Sequence, residues 1–131
     1  MRLFKTKAFA RFARSERILD AYLVDAIERA ERGLIDADLG GCLIKQRLAR
    51  QGQGRSGGYR AMIAYRAVDV AFFLYGFAKN DRDNIEPDEL KTLRDIAVMW
   101  LQKNPQQIAR YLLESEITEV TYGSTKTKQT D

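Results

Sequence analysis

With 131 residues, 45% of them hydrophobic and 31% charged, the chain has the composition of one globular domain with a real core. It holds no histidine and a single cysteine, Cys42, which excludes an internal disulfide and the Ser-His-Asp and Cys-His nucleophile systems, and leaves a structural zinc site almost without ligands. Net charge is +4, and no apolar run approaches a bilayer span or a secretory signal, so a cytoplasmic protein with no membrane contact is expected.

Arg2 to Lys5 reads as a short first strand, and Thr6 as the N-cap of a helix carrying Ala8, Phe9, Phe12 and Ala13. Leu19, Tyr22, Leu23, Ala26, Ile27 and Ala30 recur at helical spacing, and Gly33 supplies the stop. The pattern then changes. Cys42 to Leu48, Tyr59 to Arg66 and Val70 to Lys79 are short and rich in aliphatic and aromatic residues, as strands are. A Gly-rich loop from Gln51 to Gly58 and a tight turn at Ala67, Val68 and Asp69 join them into an antiparallel meander. Pro87 opens a third helix with Leu90, Leu93, Ala97, Trp100 and Leu101 on one face, and Asn104-Pro105 starts a fourth with Ile108, Leu112 and Leu113. Residues 1–115 read as a single domain. In the tail, 116–131, Ile117 to Tyr122 is strand-like and Gly123 to Asp131 is polar enough to be disordered. The expected class is α+β: a three-stranded antiparallel meander plus the short N-terminal strand, with two N-terminal helices and the C-terminal helices packed on one side.

Two motifs mislead. Gly52, Gly54 and Gly57 spell G-x-G-x-x-G, but that fingerprint works between a strand and a helix, and here Tyr59 to Tyr65 alternates like a strand. The loop is better read as a hairpin that carries Arg55 and lets backbone amides approach a phosphate. Asp81-Arg82-Asp83-Asn84-Ile85-Glu86 resembles a calcium loop without its glycine and twelfth-position glutamate, and reads as turn acids before a helix. No metal or other cofactor is expected.

Charge distribution says more than net charge. The 30 residues from Leu39 to Val68 contain no acid and hold Lys45, Arg47, Arg50, Arg55, Arg60 and Arg66. A block this one-sided suits a polyanion, because each cation placed near a phosphate releases condensed counterions. A solvated basic face is the bland alternative. Strand alternation puts Lys45 and Arg47 on one face, and Arg60 with Met62, Ala64 and Arg66 on one face opposite Tyr59, Ala61, Ile63 and Tyr65. In ordinary register Arg60 would sit beside Lys45 and Arg47, with Lys79 at the end of the last strand.

Lys45-Gln-Arg47, Gly52-Gln-Gly-Arg-Ser-Gly-Gly-Tyr-Arg60 and Phe73-Leu-Tyr-Gly-Phe-Ala-Lys-Asn-Asp-Arg-Asp-Asn-Ile85, after two helices, resemble the RelE/HigB superfamily of type II toxins. The likeness is greatest to its small phage- and plasmid-associated RelE-like branch and covers about residues 1–101. It implies an endoribonuclease that enters the ribosomal A site, cuts mRNA and thereby inhibits translation. It also implies a cognate helix-turn-helix antitoxin that holds the toxin inactive.

Such cleavage needs a base at the 2′-hydroxyl, charge neutralisation at phosphorus and an acid at the departing 5′-oxygen. The resemblance implies that lysine and arginine serve without histidine. Crowding by like charge favours the neutral form of an amine, and arginine stays charged to meet a developing phosphorane. The resemblance implies proton transfer for Lys45, which matches the position of a working lysine in relatives, and a cation at Lys79 at the end of the last strand; Arg47 and Arg60 complete the expected catalytic set. Arg50, Arg55, Tyr59 and Asn84 are the expected RNA-binding residues. Tyr59, Tyr65 or Phe77 could stack on a base, although Tyr65 and Phe77 also suit a core. The alternative function is a catalytically lapsed RelE-like protein that binds RNA, the ribosome or an antitoxin as co-repressor.

Overall fold

The computed structural model describes residues 1–50, 54–79 and 85–121, and the side chains of Arg50 and of residues 54–57 are outside that description. Thr6 joins sheet to helix. It ends β1 (Arg2–Thr6), its hydroxyl accepts the Phe9 N–H at 3.3 Å to cap α1 (Lys7–Glu16), and the same hydroxyl donates to the Phe73 carbonyl at 3.1 Å. The second helix, α2 (Asp20–Glu31), runs out at Gly33, whose φ of 83° is the left-handed conformation that glycine takes without strain.

A short strand follows, β2 (Ala37–Asp38), then β3 (Leu43–Arg50), β4 (Gly54–Arg66) and β5 (Val70–Ala78). Strand β4 begins at Gly54, so much of the expected Gly-rich loop is strand, and Arg50 pairs with Gly54 past an irregularity at Leu48/Arg50. Pro87 does open α3 (Pro87–Leu101), whose start is closed by the Glu86 N–H on the Glu89 carboxylate at 3.1 Å. Asn104 and Gln107 cap α4 (Pro105–Leu113) reciprocally, at 2.8 and 2.9 Å. Ile117–Val120 forms β6, the strand-like part of the expected tail.

The α+β class holds, but the sheet is larger than expected and mixed. Its order is β2-β3-β4-β5-β1-β6, with β1 parallel to β5 and antiparallel to β6. Leu3 and Phe4 explain the position of β1: they point to opposite faces and both are fully buried, which an edge strand could not provide.

The helices lie on both faces of the sheet, which corrects the one-sided arrangement. Phe9, Leu23 and Ile27 of α1 and α2 pack on Leu3, Ile44, Leu48, Ala61, Ile63 and Phe73. Ala97, Trp100, Leu101 and Ile108 of α3 and α4 pack on Phe4, Leu43, Met62, Ala64 and Phe72. Neighbouring residues of β4 and β5 are apolar on both faces, so each face needs its own cover. Leu113, the last apolar residue of α4, is exposed.

Candidate functional site

On the α3 face, successive cross-strand rows of β3, β4 and β5 change in character. Leu43, Ala64 and Phe72 form an apolar row. Next come Lys45, Met62 and Tyr75, and then Arg47, Arg60 and Phe77. Covered sheet thus gives way to a cationic and aromatic end. The register brings Arg47 directly opposite Arg60 and sets Lys45 one row away, as strand alternation anticipated.

Exposure follows the same gradient. Lys45 and Arg60 are half-buried, and Arg47 and Lys79 are exposed. Burial lowers the pKa of the Arg60 guanidinium, the charge of Arg47 lowers it further, and the carboxylate of Asp36 acts in the opposite direction. Arg60 Nη1 donates to the Tyr59 carbonyl at 3.3 Å. Lys79 sits one residue beyond β5, where its N–H donates to the Gly58 carbonyl at 3.3 Å and keeps the chain beside β4. Lys45, Arg47 and Arg60 are brought together on the face that Phe77 floors, with Lys79 at the strand's end.

Other expected positions fare differently. Tyr59 lies on the opposite face, 3% exposed, with its ring edge-on to Phe12 at 5.7 Å and its hydroxyl donating to Glu16 at 3.0 Å. It is a core residue under α1, and stacking of Tyr59 on a base does not fit that placement. Tyr65 is on the same side, its hydroxyl bonded to Glu31. Phe77 is on the cationic face but buried, tilted against Tyr75 at 6.0 Å. The side chains of Arg50 and Arg55, and the whole of Asn84, fall outside the described residues.

Tyr75 and Asp36 are the additions. Tyr75 is half-buried two residues before Phe77, so alternation alone could have found it. Asp36 lies between α2 and β2, and no spacing in the sequence ties it to Arg47, which it contacts through an ion pair at 3.5 Å. Among the described residues no cluster of histidine, cysteine, aspartate and glutamate could hold a metal ion.

Two arginines side by side with a lysine in the next row suit a phosphodiester. Guanidinium forks meet phosphate oxygens in pairs, and an amine can exchange a proton. A family model described as the RelE toxin of the RelE / RelB toxin-antitoxin system matches residues 1–120. The chain belongs to the RelE toxin family. The RelE match spans all six strands and every position weighed above, and it gives the protein an antitoxin as its class of partner. No curated protein matches the chain. No helix among the described residues of this RelE-family protein is long and apolar enough to cross a membrane.

Proposed function

We propose that this RelE-family protein is the toxin of a type II system, acting in the cytoplasm as a ribosome-dependent mRNA endoribonuclease. The observation that carries the reading is the cross-strand pair Arg47–Arg60, with Lys45 one row away, on the part of the sheet that opens to solvent. In this reading the two guanidinium groups clamp the scissile phosphate and neutralise the charge that builds as the 2′-oxygen attacks phosphorus. Lys45 either takes the 2′-hydroxyl proton or delivers one to the departing 5′-oxygen, while solvent water serves the other end. The bond from phosphorus to the 5′-oxygen breaks as the 2′-oxygen bonds to phosphorus, and a 2′,3′-cyclic phosphate and a 5′-hydroxyl result. Lys79 at the end of β5 adds charge for the RNA backbone, and Arg50, Arg55 and Asn84 are assigned to the same RNA path. No metal enters the scheme.

The supporting argument for the ribosome is one of size. A single small cationic face offers few base-reading groups, so a site that presents mRNA in a fixed shape supplies the selectivity the toxin lacks. A helix-turn-helix antitoxin whose acidic segment covers Lys45, Arg47 and Arg60 is the proposed partner. The test incubates purified protein with mRNA alone and with the same mRNA on programmed ribosomes, and maps the 5′ ends. Cuts that need the ribosome support the reading. Ribosome binding without cuts would instead support a lapsed toxin.

A further inference from the structure

Arg47 is held from behind. Its backbone N–H donates to Asp36 Oδ2 at 2.7 Å, and its Nε lies 3.5 Å from Asp36 Oδ1. The same carboxylate meets Nη1 of Arg29 at 3.5 Å. Arg29 in turn pairs with Asp25 Oδ2 at 3.1 Å and donates through Nη2 to the carbonyl of Arg47. Side-chain exposure rises along this chain, from 8% at Arg29 through 21% at Asp36 to 48% at Arg47. A buried cation backs a half-buried carboxylate, which faces a cation at the open surface.

The segment that carries Asp36 is fixed as well. Gln46, fully buried, accepts the Asp36 N–H at 2.7 Å and donates to the carbonyls of Ala26 at 2.9 Å and Leu34 at 3.2 Å. Asp36 therefore stands on both α2 and β3, and its position does not depend on Arg47 alone.

We propose that Asp36 is the positioning residue for Arg47, setting its guanidinium for the scissile phosphate before RNA arrives. The inference rests on the cleavage reading above and adds a residue that does not itself touch RNA. An exposed arginine loses much rotamer freedom when it is fixed on a ligand, and a preformed anchor removes that loss from the reaction step. The anchor uses Nε, the inner nitrogen, so the outer edge of the guanidinium is the one presented to phosphate. Asp36 also lessens the repulsion between Arg47 and Arg60, which like charge in direct cross-strand register would otherwise drive apart. Arg29 offsets the carboxylate's own repulsion toward an incoming phosphate.

The experiment has two arms. In the first, the Nε–Hε resonance of Arg47 is followed in ¹⁵N-labelled protein and assigned by its loss in Arg47→Lys. The expected result is a distinct resonance in the wild type that moves to the averaged position of free arginines in Asp36→Asn. In the second, single-turnover cleavage on programmed ribosomes should fall ~10–100-fold in Asp36→Asn with ribosome affinity little changed. The double variant Asp36→Asn/Arg47→Ala should cut no more slowly than Arg47→Ala. An Arg47 resonance already averaged in the wild type overturns the proposal without any variant having to fold. Full activity in Asp36→Asn, or additive losses in the double variant, overturns it too. If the wild type cuts no mRNA, the cleavage reading fails, while the resonance still decides whether Asp36 holds Arg47.

Discussion

Arg47 and Arg60 are direct partners across β3 and β4, and Arg60 is held partly out of water beside that second positive charge. Like charges opposed on one sheet face cost roughly 0.2–1 kcal/mol relative to a neutral pair. Arg60→Gln should change stability by less than about 1 kcal/mol in chemical denaturation, since its hydrogen bond to the Tyr59 carbonyl and the attraction of Asp36 offset the repulsion, and should lower ribosome-dependent cleavage by ~10²-fold or more. A variant that loses both stability and activity would mean that Arg60 serves the fold.

Proton transfer and charge can be separated at Lys45. Lys45→Arg keeps the charge but substitutes a group that does not release a proton. If Lys45 is the acid or base, that variant loses ~10²–10⁴-fold in cleavage while still binding ribosomes, and Lys45→Ala is little worse. Arg47→Lys and Arg60→Lys, which keep charge but lose the planar fork, should show smaller losses. Near-normal cutting by Lys45→Arg would reduce Lys45 to a phosphate clamp and send the search for the proton carrier to Lys79 or Tyr75.

The opposite face offers a control. A Cβ added at Gly76 would meet Phe12 Cδ2 and Cε2 at 2.5 Å and Phe9 Cε1 at 3.0 Å, so α1 must shift or Phe12 must leave its place. Gly76→Ala should destabilise by ~1–3 kcal/mol. Cleavage per folded molecule should be unchanged, because Gly76 lies under α1 and the cationic row is on the other side of the sheet. Denaturation and activity measured on the same preparation check both halves of the claim.

An acidic or amphipathic antitoxin segment should compete with RNA for Lys45, Arg47 and Arg60, or displace α4 near Ile108–Leu113. Co-expression with the neighbouring gene product should yield a stable complex and relieve toxicity. Charge reversal at Arg47 should weaken that complex if the antitoxin covers the basic face, and leave it intact if displacement of α4 is the route. Free expression without toxicity, with no neighbour bound, would point to a lapsed toxin.

The local chemistry of this fold was legible in the sequence and its long-range pairings were not. Caps at Thr6 and Asn104, the helix start at Pro87 and the turn after Arg66 are decided within a few residues. The cationic row was readable too, because hairpin connection and strand alternation together bring Arg47 and Arg60 to one face. The parallel pairing of β1 with β5 joins residues almost seventy positions apart, as Arg2 with Val70, and nothing local specifies it. The second helical layer did leave a signal: the continuous apolar run Val70–Ala78 marks a strand buried on both faces. Tyr59 could also have been set aside, since it alternates with Arg60 and so faces away from the cations. Asp36 could not have been found, because its link to Arg47 runs through a loop whose path is fixed by buried Gln46 and Arg29.

The most direct test of the central claim is cleavage of one mRNA, free and on programmed ribosomes, by the wild type and by Arg47→Ala/Arg60→Ala. The account predicts cuts in the A-site codon only when the ribosome is present, with 5′-hydroxyl ends, and none from the double variant. Efficient site-specific cutting of the free mRNA, or undiminished cutting by the double variant, would contradict it.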